Sequence, residues 1–500
     1  MSVLSPGPKW SHSVHERRNG SHYIYMQRAV PRAGGLPLVG SLPGLLRDPL
    51  ATLRRASAVG DVCRLGFGLF DAVTLHHPEH ADYVLRKNQR NYPKGGPYWA
   101  SLRDLLGNGL PTSEGAFWLR QRRMMQPQFH RRRLEGLTTL VTDALDRSLS
   151  FDDVGRDFSV VDIGARMPHL TMNVISATMF GGETSHRDSA AIQETLGFAI
   201  DHIFRGMLVK AVPEWVPVPG RRRFQAAVDG LHQILRRIIE RRRQAIQQSQ
   251  GIDEHDDLLA LMVQAVDEDT GRGMTERQLL DEVTSLYLAG YETTATGLQW
   301  ALHYLTTHPE HWERLREEAD SVLRGREPRF DDLRRLRYAR WAIQESLRLN
   351  PPAWWLPRVA QEDDEIGGYA IEAGTIVAPV TYTIHRHPAL WVRPETFDPE
   401  RFEPERVAGR HPMSWLAFGA GARRCIGQEL SMMEATMALA MMSRRFELQS
   451  IGHVTQPRLS TVIRASNGVK VKIRRRRAPT RAQVGLPTLV ASDSSSQIPL

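Results

Sequence analysis

The stretch FGAGARRCIGQEL, residues 418–430, sets one of only two cysteines in a 500-residue chain among glycines and arginines, just ahead of a helical pattern. Gly421 and Gly427 permit turns and close backbone approach, and the helix that follows offers free N–H groups and positive partial charge at its amino end. Such surroundings favour the thiolate of Cys425, the form that binds metal. One thiolate with no second cysteine or Cys/His cluster beside it cannot build a zinc or iron–sulfur site, but it suffices as an axial ligand to heme iron. On that reading Arg423 meets a heme propionate, and Phe418 packs beside the sulfur and limits water. The other cysteine, Cys63, lies in a β-type run and reads as a small buried hydrophobe.

A second constellation, AGYETTA at 289–295, falls midway along the longest helical pattern. Ala289 and Gly290 leave room there for a planar group and a diatomic ligand. Thr293 can bond a carbonyl of its own helix or turn its hydroxyl toward a bound dioxygen. Glu292 followed by Thr293, an acid and then an alcohol in a poorly solvated groove, makes a proton relay; the plain alternative is a polar patch on an exposed helix face. Glu345 and Arg348 in ESLR lie one turn apart, at ion-pair spacing. The same spacing recurs at Glu240/Arg243, Glu313/Arg316 and Glu403/Arg406, so it selects nothing by itself.

The spacing F-x-x-G-x-R-x-C-x-G resembles the heme-binding signature of the cytochrome P-450 monooxygenases, and the resemblance runs from Pro31 to Ile473. It implies a heme-thiolate monooxygenase of the bacterial, membrane-free type, holding heme b (iron protoporphyrin IX) through Cys425. Such an enzyme activates O2 to hydroxylate or epoxidise a small hydrophobic substrate: a terpenoid, a fatty acid or a polyketide-like compound. The resemblance gives Glu292 and Thr293 the acid–alcohol role and joins Glu345 and Arg348 to Arg401 of FDPERF in a structural cluster. Cofactor contacts carried over are Trp118 and Arg122 of WLRQRR, Ala289, Gly290, Arg358 of LPRVA, His385 of HRHP, Phe418, Gly421, Arg423 and Gly427. Segments 98–111, 203–219 and 353–356 and the helix face near Leu286 would line the substrate cavity. Trp99, Met207, Trp215, Trp354 and Trp355 in these segments equally suit core packing. The 75 residues after Cys425 are too few for a reductase domain, so a ferredoxin or flavodoxin with its NAD(P)H reductase is the expected electron source. Arg123, Arg131, Arg132 and Arg424 offer a basic docking face for it.

The elements that must position these groups are mainly α-helical. From about Glu79 to Arg348 apolar residues recur at i, i+3, i+4, and the pattern around AGYETTA, started by Thr275 and stopped by His308-Pro309, exceeds thirty residues. DVCRLGFG and DAVTLHHP predict paired strands, and the chain turns strand-rich after Pro351. The expected fold is therefore mainly α with a smaller β-rich region, the P-450 fold, its long central helix over a buried heme. Residues 1–30 read as a flexible lead, 31–473 as the heme-thiolate domain and 474–500 as a disordered tail.

Composition narrows the function further. At 41% apolar and 24% charged the chain is globular, and two cysteines permit one disulfide at most, which suits a reducing compartment. No apolar stretch reads as a signal peptide or transmembrane segment, so a cytoplasmic location is expected. The net charge of +9, from six lysines and 59 arginines against 56 acids, comes with no nucleic-acid-binding signature, so no nucleic acid is expected as a partner. Three competing functions remain: a peroxide-using heme-thiolate peroxygenase or isomerase, which an intact Glu292-Thr293 pair disfavours; a non-catalytic heme sensor or carrier; and a magnesium-dependent terpene cyclase. The last would use aspartate pairs at 152–153, 256–257, 331–332 or 363–364, none of which has a matched second magnesium motif.

Overall fold

Thr275 opens the longest helix with a reciprocal cap: its hydroxyl accepts from the Gln278 N–H at 3.3 Å, and the Gln278 side chain accepts from the Thr275 N–H at 2.8 Å. The helix then runs without interruption through Glu276–Thr307, 32 residues, to the stop at His308 and Pro309. Leu279, Val283, Tyr287, Ala295, Leu298, Leu302 and Leu305 along it are buried, so it crosses the molecule rather than covering it. The computed structural model describes residues 28–36, 39–67, 70–181, 185–209, 220–248 and 257–476.

Around this central helix pack Met167–Phe180, Arg221–Gln248, Arg337–Leu349 and Gln428–Arg445. Met167–Phe180 is tied to it by polar bonds as well as apolar contact. The Thr171 hydroxyl donates to the Tyr291 carbonyl at 3.0 Å, and the Ser176 and Tyr287 hydroxyls lie 2.5 Å apart.

The strands stand to one side. Val62–Gly66 and Asp71–Leu75 form the antiparallel pair their alternation predicts; Asp71–Leu75 continues in parallel with Ile376–Pro379, which pairs antiparallel with Arg358–Val359. This sheet brings Arg358, nearly 300 residues on in sequence, into the same sheet as the first hairpin, one strand away from it. Cys63 is fully buried in it, as expected of a small hydrophobe. A second sheet pairs Lys470–Arg475 with Ser159–Asp162 and Phe446–Ser450. Arg474 and Arg475, assigned to the tail by sequence, are thus paired strand residues. At the other end Arg28 bridges to Tyr369 and Val30 packs on the core, so both belong to the folded body rather than to the lead. Residues 1–27 and 477–500 lie outside the described residues.

Of the four Glu-x-x-R matches, one is buried. Arg348 donates from Nε and Nη2 to the two oxygens of Glu345, each at 2.7 Å, and neither side chain has any exposed surface. Arg401 adds a bond to Glu345 Oε1 at 3.2 Å, as does the Asp398 N–H at 3.0 Å. The remaining guanidinium donors reach carbonyls of His385, Pro394, Val392 and Arg393. Burial pushes the Glu345 carboxyl up while Arg348 and the Asp398 N–H pull against it. Glu313–Arg316 and Glu403–Arg406 are ion pairs at the surface, and Glu240 accepts from Gln244.

Removing one member of a satisfied buried cluster strands the others' charges, at a cost of about 3–5 kcal/mol. Glu345→Ala is therefore expected to yield little or no heme-loaded protein, while Glu403→Ala leaves yield and melting temperature near wild type. Heme content per purified chain is the measurement.

Candidate active site

The cysteine loop is closed by one backbone bond, Cys425 N–H to the Phe418 carbonyl at 2.9 Å. Gly421 sits at φ +67°, and a Cβ there would fall 2.0 Å from the carbonyl oxygen of Leu85, in the wide helical turn Tyr83–Lys87. Only glycine fits that position. Gly427 precedes helix Gln428–Arg445, and a Cβ on it would meet nothing within 4 Å. Phe418 packs edge-on against Trp415, ring centres 5.8 Å apart.

Cys425 is exposed, and its surface faces a cavity of about 340 Å3. Burial pushes the thiol up; the Gly427 N–H and the charges of Arg122, Arg424 and Lys94 pull it down. Phe418, Arg423, Ile426 and Gly427 line the cavity from the loop, and Ala289, Gly290, Thr293 and Thr294 line it from the central helix. A wider, more open concavity of about 550 Å3 beside Trp391 and Arg410 contains none of these groups.

Five cations line the cavity: Lys94, Arg122, Arg358, Arg423 and Arg424. Among the described residues Lys94 Nζ bonds only the Pro111 carbonyl, at 2.6 Å, and lies 4.3 Å over the Trp99 ring. Its pKa is driven well below the lysine range, first by burial and then by Arg358 and Arg423. Arg358 is 6% exposed and donates to the Pro357 carbonyl at 2.8 Å; burial draws its pKa to about 10. Arg423 stacks on Trp118 at 3.8 Å, donates to the Ser113 carbonyl and pairs with Glu114; burial draws it also to about 10. Arg122 gives two donors to the Arg424 carbonyl and Gln126, so it braces the cysteine loop. Among the described residues Glu114 is the one carboxylate bonded directly to this group. Buried cations in such excess call for anions. A dianionic porphyrin edge would meet that demand, and the thiol and the small residues of the central helix suit its metal and its plane. The residues present fit a heme.

Other expected contacts differ. His385 does not face the cavity. Its Nε2 accepts from the Leu416 N–H at 2.7 Å, which leaves the proton on Nδ1 to donate to the Arg348 carbonyl at 3.0 Å. It is a fully buried strut between the Glu345 helix and the approach to the cysteine loop, not a propionate contact. Glu292 is likewise turned away: its Oε1 accepts from Arg464 Nε at 2.7 Å, and Arg464 also holds Asp201 at 2.9 Å. Thr293 does line the cavity, with its hydroxyl donating to the Ala289 carbonyl at 2.6 Å. Gly290 is small for a reason beyond ligand space, because a Cβ would come within 2.7 Å of Ile175 Cδ1.

Of the aromatic residues weighed as cavity lining, Trp99 borders it, while Trp354 and Trp355 stack on each other at 4.7 Å in a separate core. The Met207 side chain and Trp215 lie outside the described residues. Arg123 is neutralised by Asp267 and Asp269, Arg131 lies over Phe330 and Arg424 bonds Gln428, so the basic face is less free than its sequence suggests. Sequence reasoning missed Lys94, Glu114 and the trio Thr294, Ser431 and Glu434, which sit at no diagnostic spacing. Asp61, His77 and His387 also converge near the surface. Both imidazoles accept a backbone N–H at Nδ1, so in its neutral form each carries its proton on Nε2, unsuited to ligate a metal.

A central helix crossing over a glycine-bounded cysteine loop, with buried cations around the cavity between them, defines a heme-thiolate protein. The chain belongs to the cytochrome P-450 family, whose model matches residues 31–473. It is 36% identical over 426 residues to cyclooctat-9-en-7-ol 5-monooxygenase of Streptomyces melanosporofaciens, covering 84% of this chain and 90% of that one. It is 32% identical over 423 residues to pentalenene oxygenase of Streptomyces avermitilis, covering 84% and 91%. The solved structure of the cytochrome P450DA heme domain superposes with a TM-score of 0.81 at 25% identity, covering 90% of this chain and 98% of that one. The protein is thus a monooxygenase of mainly helical P-450 fold that uses heme iron, O2, an electron donor and a hydrophobic substrate. Among the described residues no helix is long and apolar enough to cross a membrane.

The neutral His385 strut makes stability depend on pH. Burial lowers its folded pKa to about 3, whereas the unfolded imidazole titrates near 6.5. Between these values the unfolded chain binds the extra proton, so this residue's contribution is intact above about pH 6.5 and falls by about 1.4 kcal/mol per pH unit below it. Urea melts from pH 7 to 5 should show a steeper loss in wild type than in His385→Gln.

Proposed function

We propose that the chain oxidises a small polycyclic terpenoid, inserting one oxygen atom into a C–H or C=C bond with electrons from a separate ferredoxin or flavodoxin and its NAD(P)H reductase. The observation that carries this reading is the convergence of Cys425, five cations and the Ala289–Thr294 face of the central helix on one cavity. The terpenoid assignment is drawn from the substrates named in the two Streptomyces relatives. Apolar walls supplied by Ile175, Met179, Leu258 and Leu286 suit such a compound, which offers shape and few polar groups. The reducing compartment that keeps a lone thiol free is taken to be the cytoplasm.

The cofactor is taken to be heme b, held through Cys425, with Lys94, Arg358 and Arg423 receiving its carboxylates; when bound it supplies the activation of dioxygen. The protein's part is to exclude water, hold the substrate and move protons. Thr293 is placed to do the last once its hydroxyl leaves the Ala289 carbonyl, a rotation about one side-chain bond. Glu292 can recharge it after release from Arg464. Until then the Arg464 pair holds the carboxylate out of the cavity. This gives the acid–alcohol pair a closed and an open arrangement, and the reading requires the open one.

With a surrogate ferredoxin and reductase, cyclic terpene hydrocarbons and alcohols should shift the heme Soret band and yield products heavier by one oxygen. Thr293→Ala should lower product formation by roughly 10²–10⁴-fold, the range of a lost proton-transfer group, while NAD(P)H consumption persists. Turnover that hydrogen peroxide supports and the redox chain does not would instead favour the peroxygenase reading.

A further inference from the structure

Asp281 and Glu282, side by side on the central helix, are 4% and 1% exposed and take no part in the chemistry described above. Each accepts a backbone N–H from the loop after helix Gly96–Leu106: Asp281 Oδ2 from Asn108 at 2.9 Å, and Glu282 Oε2 from Leu110 at 2.8 Å. The alternate N–H groups, of Gly107 and Gly109, bond the carbonyls of Arg103 and Leu106. The two carboxylates thus satisfy the donors that local bonding leaves over. Glycine lets the loop come so close, since a Cβ at 107 would overlap the Asp281 carboxylate and one at 109 the Ser285 hydroxyl. Leu110 and Pro111 then line the cavity, as do Ser285 and Leu286 one turn further along the central helix. Past them the loop is held by its carbonyls: Pro111 by Lys94, Thr112 by Arg103 and Ser113 by Arg423. Lys94 and Arg423 are also assigned to the heme carboxylates, so that end of the loop shares its holders with the cofactor. The end at 108–110 does not.

We propose that Asp281 and Glu282 are positioning residues for the substrate: by holding the N–H groups of 108 and 110 they fix the wall that Leu110 and Pro111 present to the cavity, and so set which hydrophobic shapes fit. This rests on the monooxygenase reading. Neither carboxyl touches the substrate; both act through the loop. Arg277 Nε lies 3.0 Å from Asp281 Oδ1, which compensates that charge. Burial pushes the Glu282 carboxyl up to about 8, against the pull of the Leu110 N–H. Neutral or ionised, the carboxyl keeps an acceptor oxygen for that N–H. Without the acceptor, the Leu110 N–H must turn to water, and the loop moves outward with it. Substrate fit therefore depends on residues a full turn away from the cavity lining of their own helix.

The test uses heme-loaded full-length protein and two azoles that ligate heme iron: imidazole, and phenylimidazole, whose added ring must fit the cavity. Glu282→Leu keeps the side-chain volume and removes the acceptor. It should speed hydrogen exchange in the peptide spanning 107–113. It should also weaken phenylimidazole binding, read from the Soret shift, by roughly tenfold, the factor for one buried hydrogen bond left unmade, while imidazole affinity and the ferrous carbonyl spectrum stay unchanged. Glu282→Gln retains the acceptor and should restore both the protection and the affinity. Should Glu282→Leu fail to take up heme, Gly109→Ala, which pushes the loop off Ser285, must show the same signature. Exchange indistinguishable from wild type in these variants, equal weakening of both azoles, or a Gln variant as weak as the Leu one overturns the proposal and leaves the monooxygenase reading standing. Wild-type protein whose Soret band neither azole shifts removes both.

Discussion

Positive charge taken out of water is the constraint on which this structure turns. Lys94, Arg358 and Arg423 are held at a cavity with backbone carbonyls, aromatic faces and one carboxylate as partners, an arrangement a folded chain keeps only if something anionic completes it. Lys94, with Arg122 and Arg424, also acts on Cys425, pulling against the burial that raises its thiol. One electrostatic arrangement thus supports two different anions, the carboxylates at a porphyrin's edge and the sulfur at its metal.

The scaffold answers a similar problem differently. Glu345, Arg348 and Arg401 are buried with nearly every donor and acceptor satisfied inside the protein, so they need no ligand. His385 extends that cluster toward the cysteine loop by accepting from Leu416. The loop is therefore positioned by groups that do not touch the cavity, and its geometry does not wait for the cofactor to impose it.

Sequence made legible whatever depends on local spacing: the central helix with its cap and stop, the first hairpin, the glycine-bounded cysteine loop and the Glu345 pair once its context was weighed. It misplaced what depends on where a side chain turns. Glu292 has the spacing of a relay acid, but its partner Arg464 comes from a strand more than 170 residues away. His385 has a family context, but both its ring nitrogens are taken by backbone groups that only the tertiary fold supplies. Lys94 and Glu434 were missed because no local pattern distinguishes a lysine or glutamate that will be buried. Gly290 was read correctly as small and for an incomplete reason, since Ile175 on a neighbouring helix already claims the space.

The contact between Gly421 and the carbonyl of Leu85 has a further consequence. Two stretches more than 330 residues apart meet there with no side chain between them, so the joint has less than a methyl group of tolerance. Drift in the turn at 83–87 would be felt at the sulfur four residues on, and neither partner is free to diverge alone. Grafting this cysteine loop into another scaffold would accordingly mean transplanting the 83–87 turn with it.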